Sequence, residues 1–130
     1  MPGTVARDPV DLVRGFLDAM ERRDLATASD FLAPGFRMTF PGDAVFESLE
    51  ALVAWAKPRY RSVRKTYDGF DRAESGGDTV VYCFGTLSGE WPDGSAFAGI
   101  RFIDRFRLRD GELVEQQVWN DLAEHRSSVF

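Results

Sequence analysis

The chain has 130 residues, 44% hydrophobic and 28% charged, which favours one soluble domain with a core of its own. With 21 acidic against 16 basic residues the formal net charge is −5, which disfavours a nucleic-acid partner. A single cysteine, Cys83, excludes an intrachain disulfide and a cysteine zinc cluster; a single histidine, His125, excludes a multi-histidine metal site; no apolar run could span a bilayer.

Residues 1–8 contain no apolar stretch and do not read as a signal peptide, so a cytoplasmic location is expected. Asp8-Pro9 is a helix start, a capping carboxylate followed by proline at the first helical position. Val13, Phe16, Leu17 and Met20 then recur at the helical period. Asp24 opens a second, shorter helix carrying Leu25, Ala28, Phe31 and Leu32, which Pro34-Gly35 ends. Phe36, Met38 and Phe40 alternate with polar residues as a short half-buried strand, turned by Pro41-Gly42-Asp43. Ser48 caps a third helix with Leu49, Leu52, Val53, Ala56 and Tyr60 on one face, which Pro58 kinks or ends. From Val63 the period changes. Residues 63–74, 79–90, 97–109 and 113–121 read as strands, separated by Gly76-Gly77-Asp78, Pro92-Asp93-Gly94 and Asp110-Gly111 turns. The expected architecture is α+β, three N-terminal helices packed on a curved antiparallel sheet, as a single domain over residues 1–130 with its core at about 8–123 and a tail at 124–130.

The strand 97–109 is the most informative. Phe102, Asp104, Phe106 and Leu108 share one face, and Arg101, Ile103, Arg105, Arg107 and Arg109 the other. The apolar face must meet the helices, so Asp104 points inward. The arginine face is solvated, pairs with carboxylates such as Glu115, or forms a contact surface. A carboxylate among phenylalanines is costly unless hydrogen-bonded or protonated. Two readings stand side by side: Asp104 accepts from a buried donor and orders the core, or burial tunes it as an acid or base. On the last strand the inward parity falls on Gln116, Val118 and Asn120, which places Asp121 outward unless a bulge intervenes. Cys83 reads as a small buried hydrophobe, and Trp55, Tyr60 and Tyr82 as pocket or core aromatics.

Two helices, a strand, a third helix and a strand meander resemble the nuclear transport factor 2-like superfamily, its SnoaL-like branch above all. The specific pieces are Ile103-Asp104-Arg105-Phe106-Arg107-Leu108, the Asp110-Gly111 turn and Val118-Trp119-Asn120-Asp121-Leu122. The resemblance implies a cone of curved sheet with a pocket in its wide end, and homodimers. Its members run from ketosteroid isomerases, polyketide cyclases and epoxide hydrolases to non-catalytic binding domains, so the fold alone does not decide the activity. Against the ketosteroid isomerases, the inner aspartate matches Asp104. The tyrosine position falls on Phe16 and the base position on Phe40, so that mechanism cannot run here. The arginine–aspartate strand of the epoxide hydrolases has no counterpart between Val80 and Ser88.

What the resemblance then implies is a small hydrophobic molecule, such as a cyclic ketone, enone or polyketide-derived ring, bound without metal or cofactor. Asp104 would transfer protons, Gln116 and Asn120 would position polar atoms, and Phe16, Phe40, Trp55, Tyr60, Tyr82, Phe102 and Phe106 would form the walls. The alternatives are a non-catalytic ligand-binding domain and a dimerisation domain; neither involves nucleic acid or membrane. The excess of Phe (11, against 3 Trp and 3 Tyr) accords with a dry pocket.

Overall fold

The computed structural model describes residues 8–125, so the readings of residues 1–7 and of the tail beyond His125 lie outside it. Asp8 accepts a hydrogen bond from the Val10 N–H at 2.7 Å and starts α1 (Pro9–Glu21). The stripe read from the sequence is buried, with Val13, Phe16, Leu17 and Met20 facing the sheet. Asp24 caps α2 (Leu25–Ser29), receiving the Thr27 N–H. This helix is shorter than expected. Phe31 and Leu32 leave it because the Phe31 carbonyl accepts from the Leu113 N–H at 2.8 Å and Leu32 pairs with Leu113, so β1 begins at Leu32 and runs to Phe40. The Pro34-Gly35 step lies in a register shift of that pairing, where a proline costs no ladder bond. A short β2 (Ala44–Phe46), unmarked by any alternation long enough to read, folds back on β1.

Ser48 caps α3 (Leu49–Ala56) through the Ala51 N–H. The helix stops two residues before Pro58, so Tyr60 leaves the helix face expected for it and stands in the following loop. The long strands follow the reading closely: β3 (Ser62–Ser75), β4 (Asp78–Glu90), β5 (Ala96–Arg109) and β6 (Glu112–Asn120), then a single turn of helix α4 (Leu122–His125). Gly76-Gly77 and Asp110-Gly111 all have positive φ, the geometry of tight two-residue hairpins. The sheet order is β2-β1-β6-β5-β4-β3. It is curved and open, and it is not wholly antiparallel: β1 runs parallel to β6, since α3 carries the chain from one side of the sheet to the other before the meander begins.

Between helices and sheet, Phe16 meets Phe36 and Phe106 edge-on, with ring centroids 5.9 and 6.0 Å apart. No helix among the described residues is long and apolar enough to cross a membrane.

The outer face of the sheet is a network of charge pairs. Arg101 holds Asp121 at 2.9 Å, Arg105 reaches Glu115 at 3.6 Å, and Arg107 and Arg109 both hold Asp78, at 3.1 and 2.9 Å. Asp121 therefore faces outward, as strand parity indicates. Asp78 is buried despite its charge. Hydrogen bonds from Arg109 first, then Arg107, hold its pKa down at about 2, against an ordinary 3.8. A carboxylate with a lowered native pKa adds stability above its unfolded value and loses it as pH falls through the native one. Asp78→Asn is therefore expected to destabilise at neutral pH and to flatten the acid limb between about pH 4 and pH 2, read by urea unfolding across that range. An unchanged acid limb would show that the pair adds no stability.

Candidate functional site

Asp104 sits mid-strand on β5, paired with Cys83 on β4 and Val118 on β6. It is 0% exposed. Neither carboxylate oxygen has a hydrogen-bond partner, and they are the only fully buried side-chain polar atoms without one among the described residues. Native proteins rarely leave such groups unpaired. The nearest charge is Lys65 on β3, with Nζ 3.7 Å from Oδ2, too long for a hydrogen bond but close enough for attraction. Burial drives the Asp104 pKa up; the nearby Lys65 charge, and weaker polar interactions with Lys65 and Gln116, act against it. Burial likewise pushes the Cys83 thiol up to about 12, which leaves it unreactive.

Lys65 reaches this position because Val63, Lys65 and Tyr67 face inward while Arg64 and Thr66 are exposed. Its side chain is 22% exposed and its Nζ lies 5.1 Å from the centroid of the Phe102 ring. Its backbone N–H points to Glu21 Oε2 at 3.4 Å, which ties β3 to the end of α1.

Lys65 and Gln116 line a cavity of about 90 Å³ walled by Phe16, Phe40, Leu52 and Tyr60, with Glu21 and Arg23 also on its lining. A second cavity of about 250 Å³ shares Phe40 and Tyr60 and continues between Trp55, Trp91 and Asn120. Phe40 packs edge-on against Trp55 at 5.6 Å, and Arg59 covers the other side of that indole at 4.0 Å.

Among the residues singled out in the sequence, Phe16, Phe40, Tyr60 and Gln116 come together on the first cavity. Trp55 and Asn120 stand on the second. Asn120 Oδ1 is engaged by the Leu122 N–H at 3.1 Å. The other four stand elsewhere. Asp104 lies behind the lining, reached from the cavity past Lys65 and Gln116. Phe102 and Phe106 are buried in the core and line neither of these two cavities. Tyr82 points to the outer face, where its hydroxyl accepts from Arg105 Nε at 3.2 Å. It shares strand parity with Val80 and Phe84, and the opposite parity, Val81 and Cys83, faces the helices.

Lys65, Glu21 and Arg23 were not singled out. Lys65 had a signal in the sequence, an inward parity between Val63 and Tyr67. Glu21 and Arg23 lie between the first apolar stripe and Asp24 and carry no such signal, because their place beside β3 is set by how α1 crosses the sheet. Among the described residues, no group of three or more His, Cys, Asp or Glu is placed to hold a metal ion.

No curated protein matches this sequence. Among solved structures, a nuclear transport factor 2-like protein of unknown function from Burkholderia pseudomallei is 23% identical over 88% of this chain and 92% of its own, with a TM-score of 0.72. TerC, crystallised with polyporic acid, is 14% identical over 88% of this chain and 92% of its own, with a TM-score of 0.71. IdmH, a proposed polyketide cyclase from Streptomyces antibioticus, is 20% identical over 90% of this chain and 94% of its own, with a TM-score of 0.64. At these identities the likeness is one of fold. The profile of the SnoaL-like domain matches residues 13–116, and the chain belongs to that family, on the nuclear transport factor 2-like fold.

Proposed function

We propose that this protein binds a small, uncharged, mostly apolar carbonyl compound in the paired cavities and moves a proton on it without metal or cofactor. The reaction class is isomerisation, cyclisation or dehydration. One observation carries the reading: a fully buried, unbonded carboxylate lies 3.7 Å from a lysine that lines an apolar cavity. Such a group is costly to stability and poised to exchange a proton. The lining favours a mostly apolar ligand, since its larger share is apolar side chains and its lysine already stands beside Asp104. In this reading Asp104 holds the proton and Lys65 brings it to the cavity. Gln116 and the Tyr60 hydroxyl orient the carbonyl oxygen, and Phe16 and Phe40 exclude water. That TerC was crystallised with polyporic acid and that IdmH is a proposed polyketide cyclase supports a small organic ligand on this fold.

The test needs no natural substrate. 1-Indanone dissolved in D2O exchanges its α-protons slowly, and NMR follows the loss. The wild-type protein is expected to accelerate exchange, and Asp104→Asn to slow it by about 100-fold or more, the usual contribution of a positioned acid or base. Exchange by Asp104→Asn at the wild-type rate would remove the carboxylate from the chemistry. That Asp104 lies behind the cavity lining favours a second reading, a non-catalytic binder. It predicts that 1-indanone binds, by a shift in melting temperature, while the wild type leaves the exchange at the buffer rate.

A further inference from the structure

We propose that Lys65 is an amine nucleophile, and that its Nζ condenses with an aldehyde or ketone in the cavity to form an imine while Asp104 takes and returns the proton. This rests on the carbonyl ligand inferred above and goes beyond it by making the bond to the ligand covalent.

Three independent observations converge. The first is the choice of cation. Of the 16 Lys and Arg residues only Lys57 and Lys65 are lysine. Arginine fills the pairs of the outer face, with Asp78, Glu115 and Asp121. A guanidinium never gives up its proton, whereas an amine does so readily when desolvated. The cavity lining carries one cation of each kind, Arg23 and Lys65, and of the two only Lys65 can give up its proton. Lys57 lies exposed just past α3.

The second is where the amine ends. Lys65 lines a cavity whose apolar walls include Phe16, Phe40, Leu52 and Val63. Amines in apolar pockets are the ones that serve as nucleophiles toward carbonyls. The third is its partner. Neither Asp104 oxygen has a partner at hydrogen-bond geometry, and the polar groups that favour its carboxylate form are Lys65 and Gln116. Burial favours its protonated form. The two groups face each other across 3.7 Å, and the Phe102 ring stands 5.1 Å from the same nitrogen.

The steps balance. Asp104 accepts a proton from the Lys65 ammonium and leaves a lone pair on Nζ. That pair attacks the carbonyl carbon, and the C–N bond forms as the C=O π pair moves to oxygen. The oxygen gains the proton of Asp104 by way of one cavity water, since Asp104 stands behind the lining, and the nitrogen loses one to the restored carboxylate, giving a neutral carbinolamine; the same relay serves the next step. Return of that proton to the hydroxyl releases water as the nitrogen lone pair forms C=N. One water leaves, no electrons are gained or lost, and the imine makes the neighbouring C–H more acidic than the parent carbonyl does. Hydrolysis reverses the sequence and frees the product.

The experiment is reductive trapping on the wild-type chain. The protein is incubated with benzaldehyde and sodium cyanoborohydride at neutral pH, then digested and mapped by mass spectrometry. Lys57 is an internal reference on the same molecule. Benzylation at Lys65 is expected to run at least about tenfold faster than at Lys57, a modest share of what positioning beside a reactive group can give. Asp104→Asn is expected to remove that advantage, and Lys57→Met to leave it intact. Lys65→Arg keeps the charge and cannot form an imine, so it is expected to lose 1-indanone exchange as well. Labelling of Lys65 no faster than Lys57, or full exchange by Lys65→Arg, would overturn the imine. If exchange survives in Lys65→Arg and disappears in Asp104→Asn, the proton-transfer reading stands and the covalent step fails. If Lys65 labels quickly while the wild type leaves 1-indanone at the buffer rate, the reverse holds.

Discussion

Replacing Lys65 and Asp104 together, by Met and Leu, is expected to stabilise the protein at pH 7 by about 1–4 kcal/mol, the range seen when buried ion pairs give way to packed apolar side chains. Asp104 is wholly buried and unbonded, and at 3.7 Å its attraction to Lys65 only partly offsets the lost hydration. The sign of the pH dependence follows from the raised pKa of Asp104. Above the ordinary value of 3.8 the unfolded chain loses this proton while the native state still holds it, so the native protein binds more protons and stability falls as pH rises. The advantage of the double variant should therefore grow from about pH 4 upward and vanish below it. Lys65→Met alone removes the only cation beside Asp104. It is expected to cost at most roughly 4 kcal/mol at pH 7, the free energy of keeping an ordinary carboxyl protonated there. Urea unfolding from pH 4 to 8 reads both variants. A double variant less stable than the wild type at every pH would mean that the pair is structural. A more stable one that no longer exchanges 1-indanone would mean that stability is given up at this site for chemistry.

Phe106→Ala is the largest single loss expected, about 3–5 kcal/mol. The side chain is 0% exposed and closes the space between α1 and the sheet against Phe16. Its neighbours belong to a sheet whose ladder cannot contract, so the vacated volume would stay largely open. Against a typical domain stability of about 5–15 kcal/mol, a loss of that size removes a large share of the folding free energy. Trp119→Ala removes a larger side chain from the outer face, where Trp119 is 49% exposed, and is expected to change stability by no more than about 0.5 kcal/mol. Denaturant midpoints for the two variants check the contrast. Equal losses would mean that the outer face is buried in solution, against a second surface.

The strands were legible because alternation over nine to fourteen residues is a strong signal, and each boundary carried turn chemistry in Gly76-Gly77, Pro92-Asp93-Gly94 or Asp110-Gly111. The errors fell where a tertiary contact competes with local preference. Phe31 and Leu32 carry a helical spacing, yet a parallel partner strand claims them. β2 is three residues long and exists only because β1 offers it an edge. At the site, parity alone put Asp104, Gln116 and Asn120 inside and Asp121 outside. Parity also contained Lys65, hidden among the exposed charges of Arg61 and Arg64.

By itself, then, the sequence determined the order of the long elements, the family and the inward carboxylate, because each is a property of neighbouring residues along one chain. The tertiary structure decided which face Tyr82 takes, that Tyr60 borders both cavities, and that Asp104 meets Lys65 rather than the cavity itself. The last two depend on how α1 and α3 cross the sheet and how far β3 curls over β5, and all three need distances between segments that no local pattern encodes.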